Sequence, residues 1–300
     1  MSRRITAFLI LFAFTIVVFF IPLRALLRLA LHDDAYSYIL LTPFISAYFI
    51  FLARKNIIAD ARYSIVRGCF IMGAGIVLRF LPGLPGLEFL ESAPGTWMMV
   101  SLLLFFIGGI IALFGMQVIK HARFPLAFLV VFGIPLPEAV RTACVVALQW
   151  GSATVADAIL NFAGATYARD GLCFHFPSIS IVIAPECSGI RSSSALVITS
   201  VVAARLFLST MPGKISLIAV SLPLAMIKNG IRVATLALLG ERVNPSFITH
   251  SSLHHKGGFV FFIIALMLLL ACILIIERVE LARTGRRAVP PGQTGRPITK

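Results

Sequence analysis

The sequence predicts an all-α polytopic membrane protein with about eight transmembrane helices, a short β-hairpin on the outer face, and an interfacial or re-entrant helix. Hydrophobic residues make up 59% of the 300-residue chain, charged residues make up 13%, and the mean hydropathy is +0.98. Soluble domains do not have this composition, so lipid must surround most of the chain. The apolar stretches also recur at the length of about 20 residues that a helix needs to cross a bilayer.

The apolar stretches that are predicted to cross the membrane are Ile5–Leu23, Ile39–Ala53, Ile65–Leu81, Trp97–Phe114, Phe124–Ile134, Ser188–Leu208, Ile215–Leu239 and Phe259–Ile276. The first stretch follows Arg3 and Arg4, as the apolar part of a signal peptide follows its basic start. It lacks a small-residue cleavage site and leads into further spans, which favours a retained helix.

The distribution of basic residues predicts which connections lie inside the cell. Arg3 and Arg4 place the amino terminus inside, and the second connection is also basic, so the first two spans form a hairpin. The loop between them, residues 32–38, contains no lysine or arginine and is predicted to lie outside. The basic residues of the inner connections are Arg54, Lys55, Arg62, Arg67, Lys120 and Arg123.

The segment from Glu138 to Ala165 allows two layouts. It is moderately apolar, but polar residues interrupt it and the breaker Pro135-Leu-Pro137 precedes it. If it crosses the membrane, the basic carboxyl-terminal tail falls outside, against the positive-inside rule. We therefore favour a helix that lies along the outer interface or re-enters the membrane. The interrupting residues are Arg141, Gln149, Trp150, Asp157 and Asn161.

The next segment, from Tyr167 to Glu186, lies outside in the favoured layout. Its apolar residues alternate with other residues, which is the pattern of half-buried strands, and this predicts a short β-hairpin with Cys173 packed in it. The alternating residues are Phe174, Phe176, Ile179, Ile181 and Ile183.

Residues 1–283 are predicted to form a single transmembrane domain, and residues 284–300 a basic, disordered tail inside the cell. The net charge is +14, but the basic residues do not form one polar region with interleaved aromatics, so nucleic acid is not an expected partner. Anionic membrane lipid is an expected partner of Arg283, Arg286 and Arg287. The five scattered cysteines indicate neither a disulfide framework nor a metal site, and no cofactor is expected.

Three polar clusters interrupt the apolar chain, and the favoured layout puts all of them on the outer side. They are Pro185-Glu-Cys-Ser-Gly-Ile-Arg191, Lys228-Asn-Gly-Ile-Arg232 and His254-His-Lys-Gly-Gly258. A cysteine, an arginine and a histidine that face one compartment can supply the nucleophile, the oxyanion stabiliser and the acid or base of acyl transfer. The clusters therefore predict an acyl-transfer site.

Cys187 precedes a predicted long helix, whose dipole and free backbone amides would favour its thiolate. The alternative is a buried and inert cysteine, which is the interpretation given to Cys69, Cys144 and Cys272. Arg232 lies in an otherwise apolar helix, where a guanidinium indicates a polar cavity, a partner, or snorkelling to the headgroups.

His254 precedes the last predicted helix and can exchange a proton near neutral pH. His250 and His255 lie close by in the sequence, so spacing alone does not choose among the three. Their irregular spacing, with no carboxylate beside them, does not predict a metal site.

At these clusters the sequence resembles the exosortase and archaeosortase family of membrane cysteine transpeptidases. The resemblance extends from about Asp34 to Phe262. It includes Asp34-Ala-Tyr-Ser-Tyr38 leading to Leu41-Thr-Pro43, the break Ile134-Pro-Leu-Pro137, the Cys187 cluster, Asn229-Gly-Ile-Arg232, and His254 followed by Gly257-Gly258. The resemblance implies that Cys187 is the nucleophile, Arg232 the oxyanion stabiliser, and His254 rather than His255 the general acid and base.

The implied activity is cleavage of a carboxyl-terminal sorting signal on an exported protein, through a thioester, with transfer to a surface acceptor such as one linked to exopolysaccharide. Such a signal has a short motif, for example Pro-Glu-Pro, then a transmembrane helix and a basic tail. Arg191, Asn229 and Glu186 are predicted to bind the substrate. Arg191 is expected to share a helix face with Cys187 and to bind an acidic motif residue; its alternative roles are an interfacial anchor or a partner of Glu186.

Two further functions remain open from the sequence. One is a membrane endopeptidase in which water resolves the thioester, and the other is a non-catalytic transporter or polysaccharide-export subunit in which Cys187 only packs. The protein is predicted to be a multi-pass protein of the inner (plasma) membrane. The active site is predicted near the outer, periplasmic face, with both termini in the cytoplasm.

Overall fold

The computed structural model describes residues 2–81, 94–244 and 257–284. The predictions for His254, His255 and the tail after Thr284 lie outside these residues. The chain divides into two compact units, residues 1–141 and 142–300. The predicted single domain over residues 1–283 stays a prediction.

The first unit is helical. Its elements are α1 (Ser2–Val18), α2 (Phe20–His32), a 3-10 helix (Asp34–Leu40), α3 (Thr42–Ala59), α4 (Ile65–Phe80), α5 (Pro94–Phe114), α6 (Gln117–His121) and α7 (Arg123–Gly133). α1 and α2 meet at a bend of 76°. α4 and α5 pack closely at Gly75. A Cβ at this position would lie 2.8 Å from the Phe105 nitrogen, so only glycine allows this approach.

The second unit combines long helices with a small sheet. Helix α8 (Glu138–Phe162) begins just before the boundary between the units. It is followed by β1 (Ala168–Asp170), β2 (Cys173–His175), β3 (Ser180–Val182), a 3-10 helix (Pro185–Ser188), α9 (Ile190–Phe207), α10 (Met211–Arg242) and α11 (Gly257–Thr284). The strands form an antiparallel sheet in the order β1-β2-β3. The predicted hairpin is confirmed as β2 and β3, and β1 adds a third strand.

Helices α9, α10 and α11 share one apolar core. Leu196 of α9, Leu217 of α10 and Ala265 of α11 are fully buried in it. At one end of this core, the Glu280 carboxylate of α11 accepts hydrogen bonds from the backbone nitrogens of Ser209 at 2.9 Å and Thr210 at 3.1 Å. Because these nitrogens lie at the amino terminus of α10, Glu280 fixes α11 antiparallel to α10.

The structure supports the predicted polytopic membrane fold. Among the described residues, six helices are long and apolar enough to cross a membrane, and the bent pair α1 and α2 makes a seventh if it counts as one span. Two predicted spans form shorter helices: α4 has 16 residues and α7 has 11. At 1.5 Å per residue these helices are roughly 24 Å and 17 Å long.

The ambiguous segment after Pro137 forms one unbroken helix, α8, which meets the length and hydropathy criteria for a membrane span. It contains no chain reversal of the kind that a re-entrant segment makes. Two of the residues that argued against a span have partners elsewhere in the chain: Gln149 donates to the Ile183 carbonyl at 2.7 Å, and Asp157 accepts from the Tyr167 hydroxyl at 2.7 Å. These partners are distant in sequence, so composition alone overstates the cost of burying Gln149 and Asp157.

Candidate functional site

The sheet positions the cysteine segment by packing its apolar face on α8 and α10. Phe174 and Ile183 are each 1% exposed and lie in one cluster with Leu160 of α8 and Ala234 of α10. The bond from Gln149 to the Ile183 carbonyl anchors the end of β3 to α8. The anchored end of β3 therefore fixes the position at which the turn containing Cys187 begins.

Tyr167 anchors the other end of the sheet to α8. Its hydroxyl donates to the Asp157 carboxylate at 2.7 Å. Burial and, to a smaller extent, the hydrogen bond to Asp157 together raise the pKa of Tyr167 to about 12. The hydroxyl therefore stays protonated, and remains a donor, over the whole physiological range.

Cys187 lies in the 3-10 helix that ends at Ser188, and its thiol is half-buried. The next residue, Gly189, has a φ of 76°, a left-handed conformation that separates this turn from α9. The Gly189 carbonyl accepts hydrogen bonds from the Ser193 nitrogen at 2.9 Å and from the Ser192 hydroxyl at 3.0 Å. The cysteine is thus held in a distinct turn before the long helix rather than in the helix itself.

Asn229 of α10 holds the same turn from the other side. It is 1% exposed, and its Nδ2 donates to the Cys187 carbonyl at 2.9 Å and to the Ser152 hydroxyl of α8 at 3.0 Å. The following residue, Gly230, allows α10 to approach α8, because a Cβ there would lie 2.5 Å from the Val155 Cβ. One amide therefore connects three elements at the cysteine.

Lys228, which precedes Asn229, supports the end of the turn. It is 5% exposed, and its Nζ donates to the Ser192 hydroxyl, which in turn donates to the Gly189 carbonyl. Asn229 thus binds the Cys187 end of this segment directly, and Lys228 supports the Gly189 end through Ser192. A buried ammonium beside this turn also favours nearby negative charge.

A pocket of about 80 Å³ opens beside the turn. Cys187, Asn229 and half-buried Arg232 contribute its polar groups. The rest of its wall is apolar and comprises Ile181, Val182, Ile183, Val233 and Leu236. Two of the three predicted catalytic residues therefore line one pocket, although they are far apart in the sequence and lie on different elements.

The other predicted site residues are placed differently. Glu186 and Arg191 are exposed, and neither lines this pocket. Contrary to the prediction, Arg191 does not share a helix face with Cys187, because Gly189 interrupts the helix between them. His254 lies outside the described residues, three positions before the first residue of α11.

Several residues that support the site were not predicted from the sequence. Ser152, Ser192 and Gln149 bind the cysteine segment or its supports, and Gly189 and Gly230 permit the required backbone geometry. The signal for the first three was present as polar residues in apolar helices, but the sequence does not show which distant groups they bond.

The fold and the pocket define a class: a polytopic helical membrane protein with a cysteine and an arginine in one largely apolar pocket. A comparison with protein families adds that the family model of transmembrane exosortases matches residues 28–271. The chain belongs to the transmembrane exosortase family. Comparisons with curated proteins and with solved structures gave no match.

Proposed function

We propose that this exosortase is a membrane-embedded cysteine transpeptidase that cleaves the carboxyl-terminal sorting signal of exported proteins. The observation that carries the proposal is the shared pocket of Cys187 and Arg232. A nucleophile and a cation in one largely apolar pocket suit acyl transfer, because apolar surroundings strengthen the stabilisation of an oxyanion.

In the proposed reaction, the Cys187 thiolate attacks the carbonyl carbon of the scissile peptide bond. Arg232 stabilises the negative charge that develops on the carbonyl oxygen. The intermediate then collapses, the carbon–nitrogen bond breaks, and His254 protonates the leaving amine. A surface acceptor with an amine or hydroxyl attacks the thioester, loses its proton to His254 and releases the thiolate.

The register of α10 and α11 supports the inclusion of His254. Glu280 of α11 binds the amino terminus of α10. From that point, Arg232 lies about 32 Å along α10, and Gly257 lies about 35 Å back along α11, at 1.5 Å per residue. α11 therefore begins at nearly the depth of Arg232, and His254 precedes it by three residues.

Substrate recognition is proposed for Glu186, Arg191 and Asn229. The exposed guanidinium of Arg191 is suited to an acidic residue of the sorting motif, and the exposed carboxylate of Glu186 is suited to a basic one. Asn229 contributes by holding the Cys187 carbonyl, which fixes the position of the thiol relative to the bound peptide.

The proposed orientation places the pocket at the periplasmic face of the inner membrane and both termini in the cytoplasm. α8 is long enough to cross, whereas α7, at roughly 17 Å, is shorter than the hydrocarbon core of about 30 Å. The sequence-based layout counted α7 as a crossing and α8 as none. If α8 crosses instead of α7, and α4 also crosses, the number of crossings before Cys187 is the same as in that layout. The basic tail then stays inside, in agreement with the positive-inside rule.

The test is processing of a co-expressed, exported reporter that ends in a Pro-Glu-Pro motif, a transmembrane helix and a basic tail. The variants Cys187→Ala and Arg232→Ala are expected to lose at least about 100-fold in processing rate, because removal of a nucleophile or an oxyanion stabiliser has effects of this size. Cys272→Ala is the matched control, because Cys272 packs beside the core of α9 to α11, away from the pocket lining.

The mass of the new reporter terminus separates transfer from hydrolysis. An added mass indicates transfer to an acceptor, and a free carboxylate indicates an endopeptidase. Normal processing by stably expressed Cys187→Ala would exclude the cysteine mechanism and favour a non-catalytic transporter or polysaccharide-export subunit.

A further inference from the structure

The strand β3 is an edge strand, and the pocket that contains Cys187 runs along it. Within the described residues, β3 pairs with β2 on one side and with no strand on the other, because the order of the sheet is β1-β2-β3. Ile181, Val182 and Ile183 are consecutive, and all three line the pocket. Side chains alternate between the two faces of a strand, so three consecutive residues line one pocket only where the pocket reaches the strand's backbone edge. Since β2 covers one edge, the pocket follows the free one.

The hydrogen-bond pattern shows which backbone groups this free edge presents. The Phe176 nitrogen donates to the Ile179 carbonyl at 2.8 Å, and the Ile183 nitrogen donates to the Leu172 carbonyl at 3.0 Å. Residues 179, 181 and 183 therefore direct their backbone groups towards β2, in the register that pairs Phe174 with Ile181. Ser180 and Val182 direct theirs to the free edge.

The outward groups at Val182 are suited to an added strand. The Val182 side chain is 61% exposed, and its carbonyl accepts from the Ala184 nitrogen at 3.0 Å, which leaves its N–H as the outward donor. Two residues earlier in β3, the backbone of Ser180 presents a donor and an acceptor on the same edge. This alternation matches the backbone of an extended peptide, which offers a carbonyl and an N–H at every second residue.

The geometry points to β-strand addition as the mode of substrate binding: the sorting signal pairs in extended form with the free edge of β3, and its scissile carbonyl enters the pocket at Cys187. This inference rests on the proposed function. The apolar wall from Val233 and Leu236 receives the peptide side chains that face α10. Backbone pairing supplies affinity without sequence information, so side-chain selectivity comes from the pocket wall and the exposed charges nearby.

Proline at position 182 tests the inference, because it removes the outward N–H and leaves the ladder to β2 intact. Val182→Pro is expected to slow reporter processing at least about fivefold, the effect of losing one hydrogen bond to the substrate. Val182→Ala, which keeps the N–H and shortens the side chain, is the comparison variant and is expected to process the reporter at least about fivefold faster than Val182→Pro. Ile181→Pro removes a ladder donor and serves as the control for a disrupted sheet.

The integrity of the site is measured separately, as the alkylation rate of Cys187 in a chain whose other four cysteines are alanine. Val182→Pro is expected to retain this rate, and Ile181→Pro is expected to change it. If Val182→Pro also changes the alkylation rate, photo-crosslinking tests whether the substrate binds at β3. A photo-crosslinking residue at position 182 of the Cys187→Ala chain is expected to capture the uncleaved reporter beside its motif, whereas one at Asp170 on β1 is not.

Processing by Val182→Pro at the rate of Val182→Ala overturns the inference, and so does capture from Asp170 alone. In either case the proposed function stands, because the parent processes the reporter and Cys187→Ala does not. Normal processing by Cys187→Ala would instead overturn the proposed function, and strand addition at this site with it.

Discussion

At the scale of single residues, position 189 makes two demands that only glycine can meet. Its φ of 76° is in the left-handed region, where a side chain costs roughly 1–2 kcal/mol. A Cβ there would also lie 2.9 Å from Oδ1 of Asn229, the side chain that binds the Cys187 carbonyl. Strain and crowding therefore act at the same point, two residues after the proposed nucleophile.

Gly189→Ala is therefore expected to lower the free energy of unfolding by more than the roughly 1–2 kcal/mol of backbone strain, and to slow reporter processing at least about tenfold. The added methyl displaces Asn229, and Asn229 positions the cysteine turn. Thermal unfolding in detergent and the reporter assay measure the two effects.

The matched control is Gly164→Ala. Gly164 has a similar φ of 63°, but a Cβ there would meet nothing within 4 Å. This variant is expected to lose only the stability that corresponds to backbone strain, and to process the reporter at the parental rate. If both variants lose equal stability and process the reporter equally, crowding against Asn229 has no role.

At the scale of elements, α10 links the site to the far end of the core. Its Lys228, Asn229 and Arg232 lie at the cysteine turn and the pocket, and its amino terminus is bound by Glu280 of α11. Gly213 is required at that end, because a Cβ there would lie 2.0 Å from Oε1 of Glu280. The depth at which α11 begins therefore depends on this carboxylate.

Glu280→Gln is expected to destabilise the protein by about 1–3 kcal/mol, because an amide cannot replace a carboxylate that accepts from two backbone nitrogens and the Thr210 hydroxyl. Processing is expected to slow as well, since α11 loses its fixed register beside Arg232. Thermal unfolding and the reporter assay are the measurements.

Glu277→Gln is the control for Glu280→Gln. It makes the same chemical change one turn earlier on α11, at a half-buried residue. It is expected to leave both readouts near the parent values. Equal effects of the two variants would show that the contact with the start of α10 does not set the register.

At the scale of the whole molecule, periodicity and composition predicted the membrane helices and the hairpin, because burial in lipid or on a sheet imposes a repeat on neighbouring residues. A membrane-spanning α8 was not favoured, because with Phe124–Ile134 counted as a crossing it would put the basic tail outside. The partners of Gln149 and Asp157, at Ile183 and Tyr167, are also distant in sequence. The left-handed Gly189 was missed for a similar reason: its φ follows from the two elements it joins.

At the site, too, some features could be predicted from the sequence and others could not. Cys187 and Arg232 were predictable as chemical types, because a cysteine before a helix and an arginine within one are unusual in an apolar chain. The role of Asn229 as a link among Cys187, Ser152 and α10 was not, since hydrogen bonds across three elements leave no pattern in a single sequence.

The orientation of the whole molecule is the remaining prediction, and two exposed positions can test it. In a cysteine-free chain, cysteine is introduced singly at Val182, beside the pocket, or at Met211, at the Glu280 end of α10; these side chains are 61% and 66% exposed. The basic tail should stay inside, so Val182→Cys is expected to react with a membrane-impermeant maleimide in intact spheroplasts, and Met211→Cys only after permeabilisation. The reverse pattern would place Cys187 in the cytoplasm and remove the site from exported substrates. Reaction of both before permeabilisation would show that Met211 does not lie on the inner side, and would contradict the proposed layout of α10.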